Sequence, residues 1–226
     1  MTIIEVDHII VYKFQWNVID SNSYVIVGKE EAIIVDPIDS EELIEFLKKT
    51  KSSLYRVFLT HEHFDHISGI NKLRSIFSCV IYANHVCSEL IQNKKKNLSA
   101  LANIIISGSK YVERMKVMPF ACKAADVVFY ERLSINWMGY TIVLISTPGH
   151  SHGSICILVD GIIIFTGDSL LVDYHVITRL PGGDRKIYRE KTCPFFMQLS
   201  KNIIVLPGHG EYNRLADIIK KYSIYL

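Results

Sequence analysis

Short apolar runs separated by turn residues dominate the first third of the chain. The runs at 8–14, 22–28 and 31–36 are rich in β-branched residues, which is typical of strands, and Pro37 closes the last of them. The segment at 39–50 differs, because acidic residues open it, lysines end it and its apolar side chains recur at helical spacing. The pattern therefore predicts a strand meander followed by a helix.

Strands and helices then alternate along the rest of the chain. The predicted elements are a strand at 55–60, a loop at 61–66, a helix at 69–77, strands at 79–84, 140–147, 154–160, 162–168 and 202–208, and helices near 187–200 and from about 212. Such alternation in both halves favours an α/β sandwich, with two sheets and helices outside each of them. Since no repeat or low-complexity linker interrupts it, we expect residues 1–226 to form a single domain.

A helix-like stretch at 84–123 departs from this rhythm and is predicted to be an insert bordering the functional site. Its apolar side chains would hold an acyl chain and its lysines would meet an acidic carrier if they line the site. The alternative is that the apolar residues are core and the lysines a solvated turn. The residues concerned are Leu90, Ile91, Leu98, Leu101, Ile104, Ile105, Ile106, Met115, Met118, Phe120, Lys94, Lys95, Lys96 and Lys123.

The composition is that of an ordinary globular protein, with 49% apolar and 21% charged residues in 226. A net charge of +2 gives no electrostatic signature for nucleic acid or an anionic membrane. No apolar run reaches the roughly 20 residues of a membrane-spanning helix. The N-terminus has no basic head and carries Glu5 and Asp7, so it does not read as a secretory signal. Five scattered cysteines without a C-x-x-C pair favour a reducing compartment, and we expect a cytoplasmic protein.

Metal-binding residue types recur at the ends of the predicted strands. The stretch HEHFDH at 61–66 directly follows one strand. Asp36, His150, Asp168 and His209 each follow another apolar strand and stand beside Gly or Pro. Because strand ends are where a rigid scaffold presents functional side chains, this pattern favours a metal site over a solvated loop or a chance cluster among nine histidines.

The spacing inside the first cluster is suited to metal binding. His61 and His63 lie two residues apart, so in an extended segment both point the same way and can share one metal. Asp65 and His66 follow as the chain turns into a helix, and can face a second metal. Zinc accepts imidazole and carboxylate ligands, and catalytic zinc sites keep a position for water. A ligand set without thiolate also suits manganese or iron.

The order H-x-H-x-D-H, then G-H, G-D and G-H, each behind a strand, resembles the metallo-β-lactamase superfamily. The resemblance implies an αβ/βα four-layer sandwich, with two mixed β-sheets, helices on the outer faces and the metals at one edge. It implies that Asp36 orients the ligands without binding metal. The implied metal ligands are His61, His63 and His150 for the first ion, and Asp65, His66 and His209 for the second, with Asp168 bridging.

The expected chemistry is hydrolysis with two zinc ions as cofactors. Two metals about 3.5–4 Å apart can share a hydroxide that attacks a carbonyl carbon. Asp65, His66 and Asp168 are the residues expected to hold and orient it. The sequence has no G-x-S-x-G elbow that would supply a serine nucleophile.

Further motifs are similar to glyoxalase II, a thioester hydrolase, and Asp168 stands where many β-lactamases carry cysteine. The similar motifs are TPGHSHG, FTGDSLL, LPGGD and LPGHG. Only seventeen residues follow His209 in the 226-residue sequence, so the helical extension that binds glutathione in that enzyme has no expected counterpart. The G-R-T-D motif of relatives is also missing from VITRLPGGD, apart from a match at Arg179. The similar motifs favour a thioesterase, and the two departures leave open whether a carrier protein, coenzyme A or glutathione carries the acyl group.

Phe64, Tyr174, His175 and Arg179 are the predicted substrate contacts, whereas His8 in a strand is expected to be structural. The competing functions are an acyl-homoserine lactonase, a persulfide dioxygenase with a single iron, and a binding protein with an inactive site. The expected partner is a small or carrier-bound acyl substrate, not nucleic acid or membrane. The sequence leaves the oligomeric state open.

Overall fold

The structure is a computed structural model that describes residues 1–107 and 116–222, and within these ranges the strands form two sheets. The seven-stranded sheet consists, in spatial order, of β1 (Thr2–Val6), β2 (Ile9–Gln15), β3 (Asn22–Val27), β4 (Glu31–Val35), β5 (Leu54–Phe58), β6 (Cys79–Asn84) and β7 (Val127–Phe129). The six-stranded sheet contains β8 (Arg132–Trp137), β9 (Tyr140–Ser146), β10 (Ile155–Val159), β11 (Ile163–Gly167), β12 (Ile204–Pro207) and β13 (Asn213–Arg214). Both sheets are mixed, since β4 to β7 run parallel to one another and β11 runs parallel to β12, while the other neighbours are antiparallel.

Helices cover the outer faces of the sheets. They are α1 (Glu41–Thr50), α2 (Phe64–Ile67), α3 (Ile70–Ile76), α4 (His85–Leu90), α5 (Ala102–Ser107), α6 (Arg185–Ile187), α7 (Cys193–Gln198) and α8 (Leu215–Tyr222). A 3₁₀ turn at Ser99–Leu101 precedes α5, and a π-helical turn at Tyr188–Thr192 joins α6 to α7. None of the helices within the described residues is long and apolar enough to cross a bilayer.

Alternation along the strands builds the layers. In β4, Ala32 and Ile34 pack against the helices, whereas Ile33 and Val35 pack between the two sheets. In β11, Ile164 packs against the helices that cover the second sheet. Three apolar layers therefore separate helices, sheet, sheet and helices, which confirms the predicted four-layer sandwich.

Four strands and two local details differ from the predicted elements. The prediction omitted β1, β7, β8 and the two-residue β13, which falls where a helix was predicted. β8 shows one reason: its sequence RLSINW alternates exposed and more buried positions, so the apolar signal is diluted by polar residues. The predicted loop at 61–66 ends early, because α2 begins at Phe64. His8 lies in a turn after β1 and not in a strand, because Asp7 adopts a positive φ of 51°.

The insert at 84–123 builds part of the core on the outer side of the first sheet. Ile91, Leu98 and Ile106 are buried in the apolar layer shared with α1 and α3, which agrees with the core alternative. Met118 is exposed, and Met115 falls in the stretch 108–115, outside the described residues.

Candidate metal centre

The strand order brings distant polar residues to one edge of the sandwich. Parallel strands present their carboxyl ends together, so the segments after β4 and β5 carry Asp36 and His61 side by side. The segments after β11 and β12 carry Asp168 and His209 in the same way. The two sheets meet at this edge, where the backbone N–H of Asn22 donates to the carbonyl of Gly208 at 2.7 Å.

His61, His63 and His150 form a three-histidine group. His63 Nδ1 lies 3.1 Å from His61 Nε2 and 3.0 Å from His150 Nε2, and all three side chains are buried. Three ring nitrogens facing one point cannot all be satisfied by hydrogen bonds to one another, whereas a metal ion accepts all three lone pairs. The structure thus brings together the three residues expected to hold the first ion.

Asp65, His66 and His209 form a second, mixed group of carboxylate and imidazole. Asp65 Oδ2 lies 3.1 Å from His209 Nε2 and 3.4 Å from His66 Nε2. Asp168 stands between the groups, with Oδ1 3.6 Å from His66 Nε2, and Oδ2 3.6 Å from His150 Nε2 and 3.7 Å from His209 Nε2. Asp168 is therefore within 3.6–3.7 Å of nitrogens from both groups.

Three atoms of this edge are buried without a hydrogen-bond partner among the described residues, namely His63 Nε2, His66 Nε2 and Asp168 Oδ1, and the last two lie 3.6 Å apart. A buried polar atom without a partner costs about 1–3 kcal/mol, which coordination of a cation removes. Gly208 leaves the necessary room, because a Cβ there would lie 2.4 Å from Asp168 Oδ1 and 2.6 Å from His66 Cε1. The side chains present therefore fit a pair of metal ions.

Asp36 orients this set from behind. Its carboxylate accepts hydrogen bonds from the Thr60 N–H at 2.7 Å, the Thr60 hydroxyl at 2.5 Å and His66 Nδ1 at 2.9 Å. Because the Thr60 proton goes to Asp36, His61 Nδ1 donates to Thr60 Oγ1 at 3.0 Å, and the lone pair of His61 is left on Nε2. His150 is fixed similarly, by Nδ1 and the carbonyl oxygen of Ile177 at 2.7 Å. The hydrogen bonds thus leave the inward nitrogens free to bind metal.

Burial keeps the three-histidine group neutral. It lowers the pKa of His61 well below the usual range, that of His63 to about 3, and that of His150 as well, and neighbouring histidines lower all three further. Neutral imidazole is the form that binds metal.

Proton occupancy is reversed in the mixed group. Burial disfavours the imidazolium of His66 and His209, but the carboxylates of Asp65 and Asp168 outweigh it and raise the pKa of both histidines. Burial also disfavours the two carboxylates, yet the facing histidines outweigh it and lower the pKa of Asp65 and Asp168. In the metal-free protein this group is a cluster of ion pairs.

Glu62 is a site residue that the sequence reasoning missed. Its carboxylate is buried and accepts a hydrogen bond from the Ser151 hydroxyl at 2.9 Å. Burial raises the pKa of Glu62 to about 7, and hydrogen bonds from Ser151 and the backbone of Glu62 and Gly153 limit the rise. The sequence does contain a signal for Glu62, which is its position between His61 and His63. Successive side chains of an extended segment point to opposite sides, so when the two histidines face the metal, Glu62 points into the scaffold.

A cavity of about 620 Å³ lies along the segment that follows Asp168, and its wall contains Tyr174, His175 and Arg179, three of the residues predicted to contact substrate. Arg185 and Arg189 line it too, and the sequence reasoning did not single them out. Phe64, by contrast, is 2% exposed in the core, because α2 begins there and turns its ring towards Trp16. The predicted contact through Phe64 is therefore not supported. No described residue of the 84–123 insert lines this cavity, so the acyl-binding role expected of the insert gains no support either.

Known proteins share this fold and are similar in sequence. The family profile of the metallo-beta-lactamase superfamily matches residues 16–209, so the chain belongs to that superfamily, as the motifs predicted. A probable metallo-hydrolase from Bacillus subtilis, YqgX, is 27% identical over 194 residues, which cover 85% of this chain and 86% of the relative. The crystal structure of the BLEG-1 B3 metallo-beta-lactamase superposes with a TM-score of 0.77 at 28% identity, covering 93% of this chain and 96% of that one. A hydroxyacylglutathione hydrolase from Bdellovibrio bacteriovorus is 43% identical over 54 residues, only 24% of this chain and 22% of the relative.

Proposed function

We propose that the protein is a binuclear metal-dependent hydrolase that cleaves thioesters. The observation that carries the proposal is the position of Asp168, whose oxygens lie 3.6–3.7 Å from donor nitrogens of both groups. The local similarity to hydroxyacylglutathione hydrolase supports the choice of a thioester over other carbonyl substrates. The volume of about 620 Å³ also suits a small organic substrate, since ligand pockets measure roughly 300–1,000 Å³.

Each donor group would hold one cation. The ligands would be His61, His63 and His150 for the first, and Asp65, His66 and His209 for the second, with Asp168 shared. Bound there, divalent cations such as zinc lower the pKa of water and polarise a substrate carbonyl. Iron and manganese are also compatible with an imidazole and carboxylate set. Asp36, Thr60 and the Ile177 carbonyl keep the rings in place during turnover.

The test is a hydrolysis screen of zinc-loaded protein with acyl-glutathione, acyl-coenzyme A and acyl-homoserine lactone. We expect thioester turnover that His61→Ala and Asp168→Asn abolish. His8→Ala is the matched control, since His8 is exposed in a turn away from the centre. Turnover of the lactone alone would contradict the thioesterase proposal. One bound iron with no zinc, measured in protein purified without added metal, would favour the dioxygenase alternative. Zinc-loaded protein that cleaves nothing would favour the binding protein with an inactive site.

Hydrolysis of β-lactams is a second candidate, favoured by the similarity to BLEG-1 at 28% identity. A chromogenic cephalosporin in the same screen tests it. Turnover of the cephalosporin without turnover of any thioester would replace the first proposal with the second.

A further inference from the structure

The cavity is linked to the donor residues through two residues of its wall. Leu170 follows Asp168 by two residues. Ile177 uses its carbonyl oxygen to fix His150. These two links place the cavity next to the donor residues, although none of the seven donors lines it.

Three arginines are among the residues that line this space, namely Arg179, Arg185 and Arg189, and all three are exposed. None of these side chains forms a hydrogen bond or ion pair within residues 1–107 and 116–222. The wall contains no aspartate or glutamate among the same residues. The cavity consequently concentrates positive charge without an internal counter-charge.

The nearest acidic side chains in the sequence have other partners. Asp184 accepts hydrogen bonds from the backbone N–H groups of Lys186 and Ile187, at 2.8 and 2.9 Å, and caps α6. Asp173 pairs with Lys221 at 2.9 Å, and Glu190, which directly follows Arg189, pairs with Lys186 at 4.0 Å. None of these carboxylates pairs with the three arginines, so the charge is available to a ligand.

Arginine binds planar anions better than any other side chain does. Its guanidinium forms paired, charge-assisted hydrogen bonds with carboxylate or phosphate oxygens, and it remains charged at any ordinary pH. Three such groups beside one another repel, and an anion between them relieves the repulsion. The apolar wall residues, among them Leu170 and Ile177, leave room for the uncharged part of the same molecule.

We propose that this cavity binds the anionic, non-reacting end of the substrate, and that Arg179, Arg185 and Arg189 select for it. The ligand chemistry is a carboxylate or phosphate carried on the thiol portion of a thioester. This inference rests on the proposed function, because it assumes that the thioester bond lies at the metal donors. The sequence suggested that the lysines of the 84–123 insert contact the anionic part of the substrate. The present proposal assigns that contact to the segment at 179–189 instead.

The kinetic test compares anionic and neutral thioesters that share one acyl group. Acyl-glutathione supplies carboxylates, acyl-coenzyme A supplies phosphates, and the diethyl ester of acyl-glutathione and acyl-N-acetylcysteamine supply neither. In the triple variant R179Q/R185Q/R189Q, we expect kcat/KM to fall about tenfold or more for an anionic substrate and to change less than about twofold for the neutral ones. Whichever anionic substrate is affected identifies the source of the anion. The single variants serve if the triple variant does not fold.

The control is R132Q, which removes an exposed arginine from β8 and makes the same charge change as each single arginine variant, but outside the cavity. A second readout is calorimetry of the zinc-loaded protein with S-methylglutathione and with free coenzyme A. We expect one of these ligands to bind about tenfold more weakly to the triple variant than to R132Q.

The outcomes separate this inference from the proposed function. Equal losses for anionic and neutral thioesters, or binding that the arginine variants leave unchanged, would overturn the anion site while leaving the thioesterase intact. If no thioester is cleaved at all, the proposed function fails. Calorimetry still decides the anion site in that case, since it needs no turnover.

Discussion

The three-histidine group and the mixed group share one buried edge, yet they hold protons in opposite ways. In the first, burial and like neighbours lower the pKa of His61, His63 and His150. In the second, carboxylates raise the pKa of His66 and His209 despite the same burial. The comparison teaches that two carboxylates are needed to offset burial: Asp65 and Asp168 both lie 3.1–3.7 Å from His66 and His209, whereas Asp168 alone, 3.6 Å from His150, leaves the pKa of that histidine lowered.

Removing one ligand from each group gives the largest expected effect. His61→Ala should abolish hydrolysis, because it removes one of the three neutral imidazoles that would bind the first metal ion. His209→Ala should also reduce kcat by more than the roughly 100-fold typical of outer contacts, but leave one metal bound. Metal content and turnover of both variants, with His8→Ala as control, check this. Full occupancy of both sites in His61→Ala would break the comparison.

Asp36→Asn tests the support of the mixed group. The amide can accept the Thr60 N–H, but its NH₂ would face the hydrogen donated by His66 Nδ1. We expect metal affinity at the mixed group to fall about 10- to 100-fold, with a smaller change at the three-histidine group. Competition with a chromogenic chelator measures both constants. Equal weakening of the two sites would show that Asp36 does not act through His66.

Glu62 tests the support of the three-histidine group. Glu62→Ala would leave the Ser151 hydroxyl without its acceptor and should lower the free energy of unfolding by about 1–3 kcal/mol. The amide oxygen of Glu62→Gln can still accept this hydrogen bond, so that variant should retain most of the stability. Urea unfolding of the zinc-loaded protein compares them, and a glutamine variant as unstable as the alanine variant would contradict the assigned contact.

Acidification should produce the smallest effect, a stepwise loss of metal. His66 and His209 have a folded pKa above the ordinary 6.5, so protons compete for the mixed group first as the pH falls. The three-histidine group has its pKa values below 6.5 and should keep its metal to a lower pH. Metal content after dialysis at a series of pH values measures this, and loss from both groups at one pH would contradict it.

The metal-free protein should show the matching linkage to stability. The raised pKa of His66 and His209 stabilises the fold below pH 6.5, and this contribution is lost as the pH rises through the folded pKa. The three-histidine group acts oppositely, because the unfolded chain takes up protons below 6.5 that the folded group refuses.

The sequence predicted the layers and the donor residues because both follow from local rules. Short continuous apolar runs predict strands that are buried on both faces, and polar residues at the ends of parallel strands meet at one edge. Arg185 and Arg189 were not predicted, because they are separated in sequence from most of the other residues that line the cavity. Only the folded chain brings α6 and the turn at Tyr188–Thr192 next to the loop that holds Arg179. Phe64 was misplaced because its neighbours in the motif face the metals, while the start of α2 turns its own ring into the core.

The most direct test of the central claim is anomalous diffraction from crystals grown with zinc. We expect two peaks per chain, one among His61, His63 and His150 and one among Asp65, His66 and His209, both in contact with Asp168. A single peak, or peaks away from Asp168, would contradict the account of a shared two-metal centre.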